Sequence, residues 1–293
     1  MTSPIPGGLL IGAATSAHQV EGGNCRNDVW AAERAPGSPF LEPSGQAADS
    51  WNRWEEDVRL AAALGLDAYR FSLEWSRVEP SPGKLDKKAV GHYQRMVQAC
   101  RDAGVQPVVT LHHFTSPLWL AQQGGWTDPR AAGCFARFVE MVLPVLDQVD
   151  LVLTINEPTI LVEWSHRLTV PPQAGPDARV RDTVLAAHRE AVDILHGDRA
   201  GRQVGLTLAL HDWEVLPGGE QLAAQLQDEE EDWWLRSLAG DDVVGVQTYT
   251  CKTVGPHGVV PPGADEPTTL TGWRVRPRAV AATARRAAAV SGL

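Results

Sequence analysis

The chain has 293 residues, 43% of them apolar, enough to bury a sizeable core as one large α/β domain or as two smaller ones. A formal charge of -10 at pH 7 excludes the concentrated basic surface that phosphate backbones require, so no nucleic-acid partner is expected and a neutral small-molecule ligand fits better. Four cysteines without a CxxC pair argue against a disulfide framework or structural zinc, and the absence of both an apolar run near 20 residues and a signal-like start predicts a cytoplasmic protein with no membrane partner.

In chain order, strands are predicted at residues 9–14, 68–72, 107–112, 151–156, 204–208 and 243–247, several so continuously apolar that burial on both faces is expected. Between them, Trp51, Trp54, Val58 and Ala61 recur at helical spacing before Gly65, as do Val90, Tyr93, Val97 and Cys100 before Gly104. Asp128 and Pro129 read as cap and first turn of a helix running to about residue 149, and Val180, Val184, Ala187 and Ala191 mark a fourth. Weaker helices are expected near 229–238 and 278–290, with Pro/Gly-rich loops at 35–47, 171–176 and 255–267. The acidic run 228–232 reads as the solvated start of a helix. Strand–helix alternation of this kind predicts an α/β fold with a parallel sheet, of the (β/α)8 TIM-barrel type. About six of eight units are present, so residues 1–293 read as a single incomplete barrel domain with two unpaired edges.

Active sites of such barrels lie on loops at the C-terminal ends of the strands. Thr154-Ile155-Asn156-Glu157-Pro158 occupies such a position and puts a carboxyl there. A capping or ion-paired glutamate is the bland alternative. The segments Gly12 to Gly22, Tyr69-Arg70-Phe71-Ser72-Leu73-Glu74-Trp75-Ser76-Arg77 and Thr110-Leu111-His112-His113-Phe114 end three other strands on the same rim. These segments, with Gly245-Val246-Gln247-Thr248-Tyr249 and Gly272-Trp273-Arg274, resemble glycoside hydrolase family one, the β-glucosidases and 6-phospho-β-glucosidases, over residues 12–278.

The resemblance implies retaining hydrolysis of a β-glucoside or related β-glycoside without cofactor or metal. It makes Glu157 the acid/base and gives Gln19, His113 and Asn156 hydrogen bonds to glycone hydroxyls. Arg70 and Tyr249 match positions beside the nucleophilic carboxylate. Phe114 replaces the usual Trp, Thr115 the usual Asp, Gln247 the usual Asn and His18 the usual aromatic, so an altered pocket is expected. Trp119 and Trp126, after the third strand, are candidates for the aglycone approach, with packing as the commoner use of such rings. Retaining chemistry needs a second carboxylate about 5–5.5 Å away to attack the anomeric carbon. The family draws it from a Thr-Glu-Asn-Gly segment after strand seven, and the sequence contains no such segment. Asp265 and Glu266 lie after the sixth strand, and Glu21, Glu74 and Glu163 fall near strand ends, but nothing in the sequence favours any of them as a substitute.

Three readings follow. The chain is a β-glycosidase whose last units come from a second copy, a complementing C-terminal chain or a continuation absent from these residues; a non-catalytic sugar-binding or interaction protein; or a truncated product without function. Arg70 and Tyr249 count against the second, because both serve a nucleophile.

Overall fold

In the computed structural model, residues 8–169, 177 and 179–293 are described, and the chain divides into two compact units. One runs to Asn156 and again from Ile160 to Val204; the other comprises Glu157–Thr159 and Gly205–Leu293. The expected loop at 171–176 lies outside the described residues.

The first unit alternates strand and helix: β1 (Gly12–Ala14), α1 (Ala17–Val20), α2 (Asp28–Glu33), α3 (Ser50–Ala63), β2 (Ala68–Ser72), α4 (Trp75–Val78) and α5 (Lys87–Asp102) come first. Then follow β3 (Gln106–His112), α6 (Leu118–Ala121), α7 (Arg130–Leu146), β4 (Leu151–Asn156), α8 (Pro158–Leu168) and α9 (Arg179–Asp198). β1 pairs with β2, β2 with β3 and β3 with β4, all parallel. α5 shows how sequence sets an element. The Asp86 carboxylate accepts from the Lys88 and Ala89 amides, Val90, Tyr93, Val97 and Cys100 bury one stripe, and Gly104 ends the turn at φ +72°. α7 turns Phe135, Phe138, Val139 and Val142 inward and packs on the Val184, Ala187 and Ala191 face of α9. This helix starts later than expected, with Pro129 as its N-cap, and ends at Leu146; Asp128 Oδ1 accepts from the Arg130 amide at 2.8 Å.

Trp75 anchors the aromatic core of this unit, stacked 5.1 Å from Phe138 and edge-on to Trp126 and Phe135. Each such ring contributes about 1.5–3 kcal/mol by leaving water. Trp126, a candidate for the aglycone approach, lies inside this cluster, and its indole N–H donates to Ser116 Oγ at 3.0 Å. Trp119 donates to the Glu79 carbonyl at 2.9 Å.

The second unit contains β5 (Gln203–Ala209, shared at its first two residues), β6 (Asp212–Val215), α10 (Glu220–Gln227), a π-helical turn (Asp228–Asp232), α11 (Trp233–Arg236), β7 (Val243–Gln247), β8 (Cys251–Gly255), β9 (Gly258–Val260) and α12 (Ala279–Ser291). β5 pairs in parallel with β7, so closely that a Cβ at Gly205 would stand 1.9 Å from the Val243 carbonyl oxygen. β6, β8 and β9 form a separate three-stranded sheet. In the first unit the parallel strands follow chain order, β1-β2-β3-β4, as do β5 and β7 in the second. The fold is therefore α/β, of the (β/α)8 barrel type, with six of the eight strands.

Four further expectations are corrected. β1 is shorter than 9–14 and exposed at every residue, and β7 is half-buried throughout; among the described residues β1 pairs with β2 alone and β7 with β5 alone, so two-faced burial does not reach them. The 255–267 loop contains β9, whose Gly258–Val260 pairs antiparallel with β8. Residues 229–238 are not one α-helix but a π-turn followed by α11. The acidic run is not all solvated. Glu231 is buried, and four donors converge on it: the His211 amide at 3.0 Å, His211 Nδ1 at 2.7 Å, Trp213 Nε1 at 3.2 Å and the Arg286 guanidinium.

Candidate functional site

In the first unit, parallel strands deliver polar side chains to the loops at their C-terminal ends. Arg70, on β2, donates from Nε to Thr110 Oγ1 at 2.8 Å and from Nη2 to Asn156 Oδ1 at 2.6 Å. β3 and β4 thus present Thr110 and Asn156 to one guanidinium. His113 follows β3. Burial first, then the neighbouring Arg70 charge, hold its pKa down to about 3, so it is a neutral imidazole, and its Nδ1 has no hydrogen-bond partner. Gln19, on α1, is exposed, and its Oε1 accepts from Ser16 Oγ at 2.7 Å.

Gln19 and His113 share a cavity of about 330 Å³ whose walls include Val29, Phe40, Phe114 and Trp164. Phe114 sits at φ +71°, a left-handed backbone a bulky side chain rarely adopts, and its ring meets His113 edge-on at 4.8 Å. His18 also lines the cavity, but its ring is committed: Nε2 lies 3.0 Å from Glu33 Oε1 and Nδ1 3.0 Å from Asn27 Nδ2. Glu33 takes a further three donors, from Ser44 N, Ser44 Oγ and Arg34. The replacement of an aromatic by His18 therefore comes with a carboxylate, Glu33, that hydrogen-bonds its ring. Thr115, in place of the usual Asp, donates to Glu74 at 3.0 Å.

In the second unit, Glu157 is 5% exposed and stands at φ +45°. A left-handed glutamate costs on the order of 1–3 kcal/mol and persists only where its surroundings hold it. Its amide donates to the Thr207 carbonyl at 2.8 Å. Its Oε1 accepts from the Tyr249 hydroxyl at 2.7 Å and from Gln247 Nε2, which fixes the rotamer of the carboxyl group. Gln247, singled out in the sequence only as a departure from the usual Asn, is thus a direct partner of Glu157. Its position at the last residue of β7, two before Tyr249, is the signal that places it there.

Glu21 and Glu74 are both buried in structural networks. Glu21 accepts from Tyr93 Oη at 2.6 Å and from Arg77 Nε at 2.7 Å, and burial pushes its pKa up to about 7. Glu74 is wholly buried and accepts from Ser76 Oγ at 2.6 Å. Glu163 is exposed on α8, and Glu266 is paired with Arg274 and Arg276.

Parallel β/α units with a strand-end carboxyl held by a tyrosine and an amide define a barrel-type scaffold carrying an acid site. The comparisons make the class specific: residues 1–254 match the glycosyl hydrolase family 1 model, and the chain belongs to that family. It is 36% identical over 205 residues to a β-glucosidase of Agrobacterium sp., a match covering 67% of this chain and 44% of that protein. Against β-glucosidase A of Thermotoga maritima the identity is 30% over 213 residues, covering 69% and 48%. Among solved structures, the β-glycosidase BGL167 superposes with a TM-score of 0.92 at 37% identity, over 99% of this chain and 77% of that one. The chain spans about half the length of the curated relatives it matches. Among the described residues, no helix is long and apolar enough to cross a membrane.

Proposed function

We propose that this chain supplies the glycone-binding and acid/base part of a retaining β-glycosidase acting on a β-glucoside or related β-glycoside. Gln19, His113 and Asn156 bind sugar hydroxyls. A neutral imidazole at His113 suits that task, since it donates or accepts without placing a charge against an uncharged ring. Glu157 protonates the departing glycosidic oxygen and later deprotonates water, as retaining chemistry requires of one carboxyl. Arg70 and Tyr249 serve the nucleophilic carboxylate. In this chain they are occupied by Asn156, Thr110 and Glu157. The observation that carries the reading is Glu157 itself: a buried glutamate with a left-handed backbone, at the end of a parallel strand, held by two side-chain donors in a family 1 chain.

On this reading the family's nucleophile segment is not among these 293 residues, and the chain alone is inactive or weakly active. Residues 1–293 are then one incomplete barrel domain in the cytoplasm, needing no cofactor or metal, completed by a second copy, a complementing C-terminal chain or a continuation of the same polypeptide. The test is hydrolysis of p-nitrophenyl β-glucoside by the purified chain, with Glu157→Ala as control and azide as an external nucleophile. No release above the control is expected in either condition. Release by the chain alone that disappears in Glu157→Ala would place a nucleophile within the 293 residues and overturn this part of the proposal.

A further inference from the structure

The first unit holds a second cavity, of about 510 Å³, which shares no lining residue with the one at Gln19 and His113. Its walls come from residues 23–26, the start of α3, Ser76 and Arg77 of α4, Asp86 and the first half of α5. Four cationic side chains line it, Arg26, Arg77, Lys88 and Arg95, against one carboxylate, Asp86. Asp86 is committed to capping α5, and Arg77 is held by Glu21 and the Gly22 carbonyl. Arg26, Lys88 and Arg95 are exposed and make no side-chain hydrogen bond or ion pair among the described residues. In a chain whose formal charge is -10, four cations against the single carboxylate of Asp86 in the lining of one hollow reverse the local sign.

A second observation points to a ligand. His92, only 6% exposed, lines this cavity, and its Nε2 has no hydrogen-bond partner. Burial and the Arg95 and Arg77 charges hold its pKa at about 4, so at neutral pH it is an uncharged ring with one N–H to give. Asn24 Oδ1, in the same lining, is also buried without a partner. Buried polar atoms without partners are uncommon, and two in one cationic hollow call for a polar guest.

The aromatic residue present narrows the guest's chemistry. The Trp51 ring has His92 stacked on it at 3.8 Å and the Arg77 guanidinium over it at 3.9 Å. Two groups that near one centroid cannot share a face, so both faces are covered and no base or sugar ring can stack there. Recognition here is by charge and hydrogen bonds.

We propose that this cavity binds a phosphate dianion, free or as a phosphomonoester, between Arg26, Lys88 and Arg95, with His92 Nε2–H as a donor. Charge-assisted bonds from lysine and arginine, together with a neutral N–H donor, form the usual chemistry of such a site. The inference does not depend on the glycosidase reading, since none of these residues is assigned to it.

The test is an NMR titration of the 15N-labelled chain at pH 7 and low salt, following the His92 imidazole signals identified by comparison with His92→Gln. Sodium phosphate and glucose 6-phosphate are the two probes, with sodium chloride at matched ionic strength as control. A saturable shift is expected with half-saturation on the order of 1 mM. Affinity should fall about 10-fold in Lys88→Gln/Arg95→Gln, two exposed changes that leave the fold intact. Equal binding of both probes marks a free-phosphate site, and tighter binding of the ester marks a phosphomonoester site with Asn24 as a hydroxyl partner. The proposal is overturned if neither probe shifts His92 beyond the chloride control, or if the double variant binds as the parent does.

Discussion

Replacing Glu231 by alanine removes the acceptor at the centre of the second unit. Its Oε1 takes the His211 amide at 3.0 Å and His211 Nδ1 at 2.7 Å, while Oε2 takes Trp213 Nε1 at 3.2 Å and the Arg286 guanidinium. The variant leaves those donors behind. Orphaning buried donors costs about 1–3 kcal/mol, and breaking a buried ion pair about 3–5 kcal/mol. His211 and Trp213 are only half-buried, and Asp232 remains 3.4 Å from Arg286, so the loss is discounted to roughly 2–4 kcal/mol. With a urea slope of about 2 kcal/mol per molar, the unfolding midpoint of this unit, followed by tryptophan fluorescence, should fall by about 1–2 M. Glu231→Gln, which keeps the size and one acceptor, should lose about half as much. Burial alone would push the Glu231 pKa up, but the His211 hydrogen bond and the Arg286 charge outweigh it and hold it below the usual carboxylate value. A lowered folded pKa gives stability that is present above the unfolded value and is lost as pH falls through the folded one. Glu231→Gln should therefore flatten the acid side of the stability profile. A midpoint shift under about 0.3 M for the alanine variant would show that these contacts add nothing to the fold, refuting the reasoning.

Two further outcomes follow from named groups. Burial raises the Asp28 pKa to about 8, although the Ser116 and Val29 amides bond its Oδ1. A raised folded pKa contributes stability below the unfolded value near 4 that is lost as pH rises to 8, so Asp28→Asn, which keeps the acceptor, should gain on the parent across that window in urea melts at pH 5 and pH 8. In an enzyme completed by a nucleophile-bearing segment, Glu157→Gln should slow cleavage of alkyl β-glucosides by about 10²- to 10⁴-fold while largely sparing glycosyl-enzyme formation from activated aryl glucosides. Equal loss for both, in steady-state and burst kinetics, would contradict the acid/base role.

The periodic part of the fold was legible from the sequence. β2, β4 and β7 have the expected bounds, because each is a run of five or six residues rich in apolar side chains with an acidic residue, Asp67, Asp150 or Asp242, just before it. The four long helices α3, α5, α7 and α9 were readable from their apolar stripes, whereas the shorter α1, α2, α4, α6 and α8 were not. The sheet of β6, β8 and β9 was not, since its strands are short and lie among glycines and prolines that read as loop. Glu231 was misread for a different reason: sequence period describes neighbours along the chain, whereas its partners His211 and Arg286 lie 20 and 55 residues away. At the candidate site, strand-end placement of Arg70, His113, Asn156 and Glu157 was visible from motif position. The hydrogen bonds from Gln247 and Tyr249 to Glu157, and the left-handed backbone of Phe114 and Glu157, depend on tertiary contact and carry no local signature.

The central claim is that this chain binds a β-glycoside through Gln19, His113 and Asn156, and saturation-transfer NMR with methyl β-glucoside tests it most directly. Transfer to the glycone ring protons is expected with the parent chain and should vanish in Gln19→Ala/His113→Ala while circular dichroism stays unchanged. No transfer with the folded parent, or equal transfer with the double variant, would contradict the account.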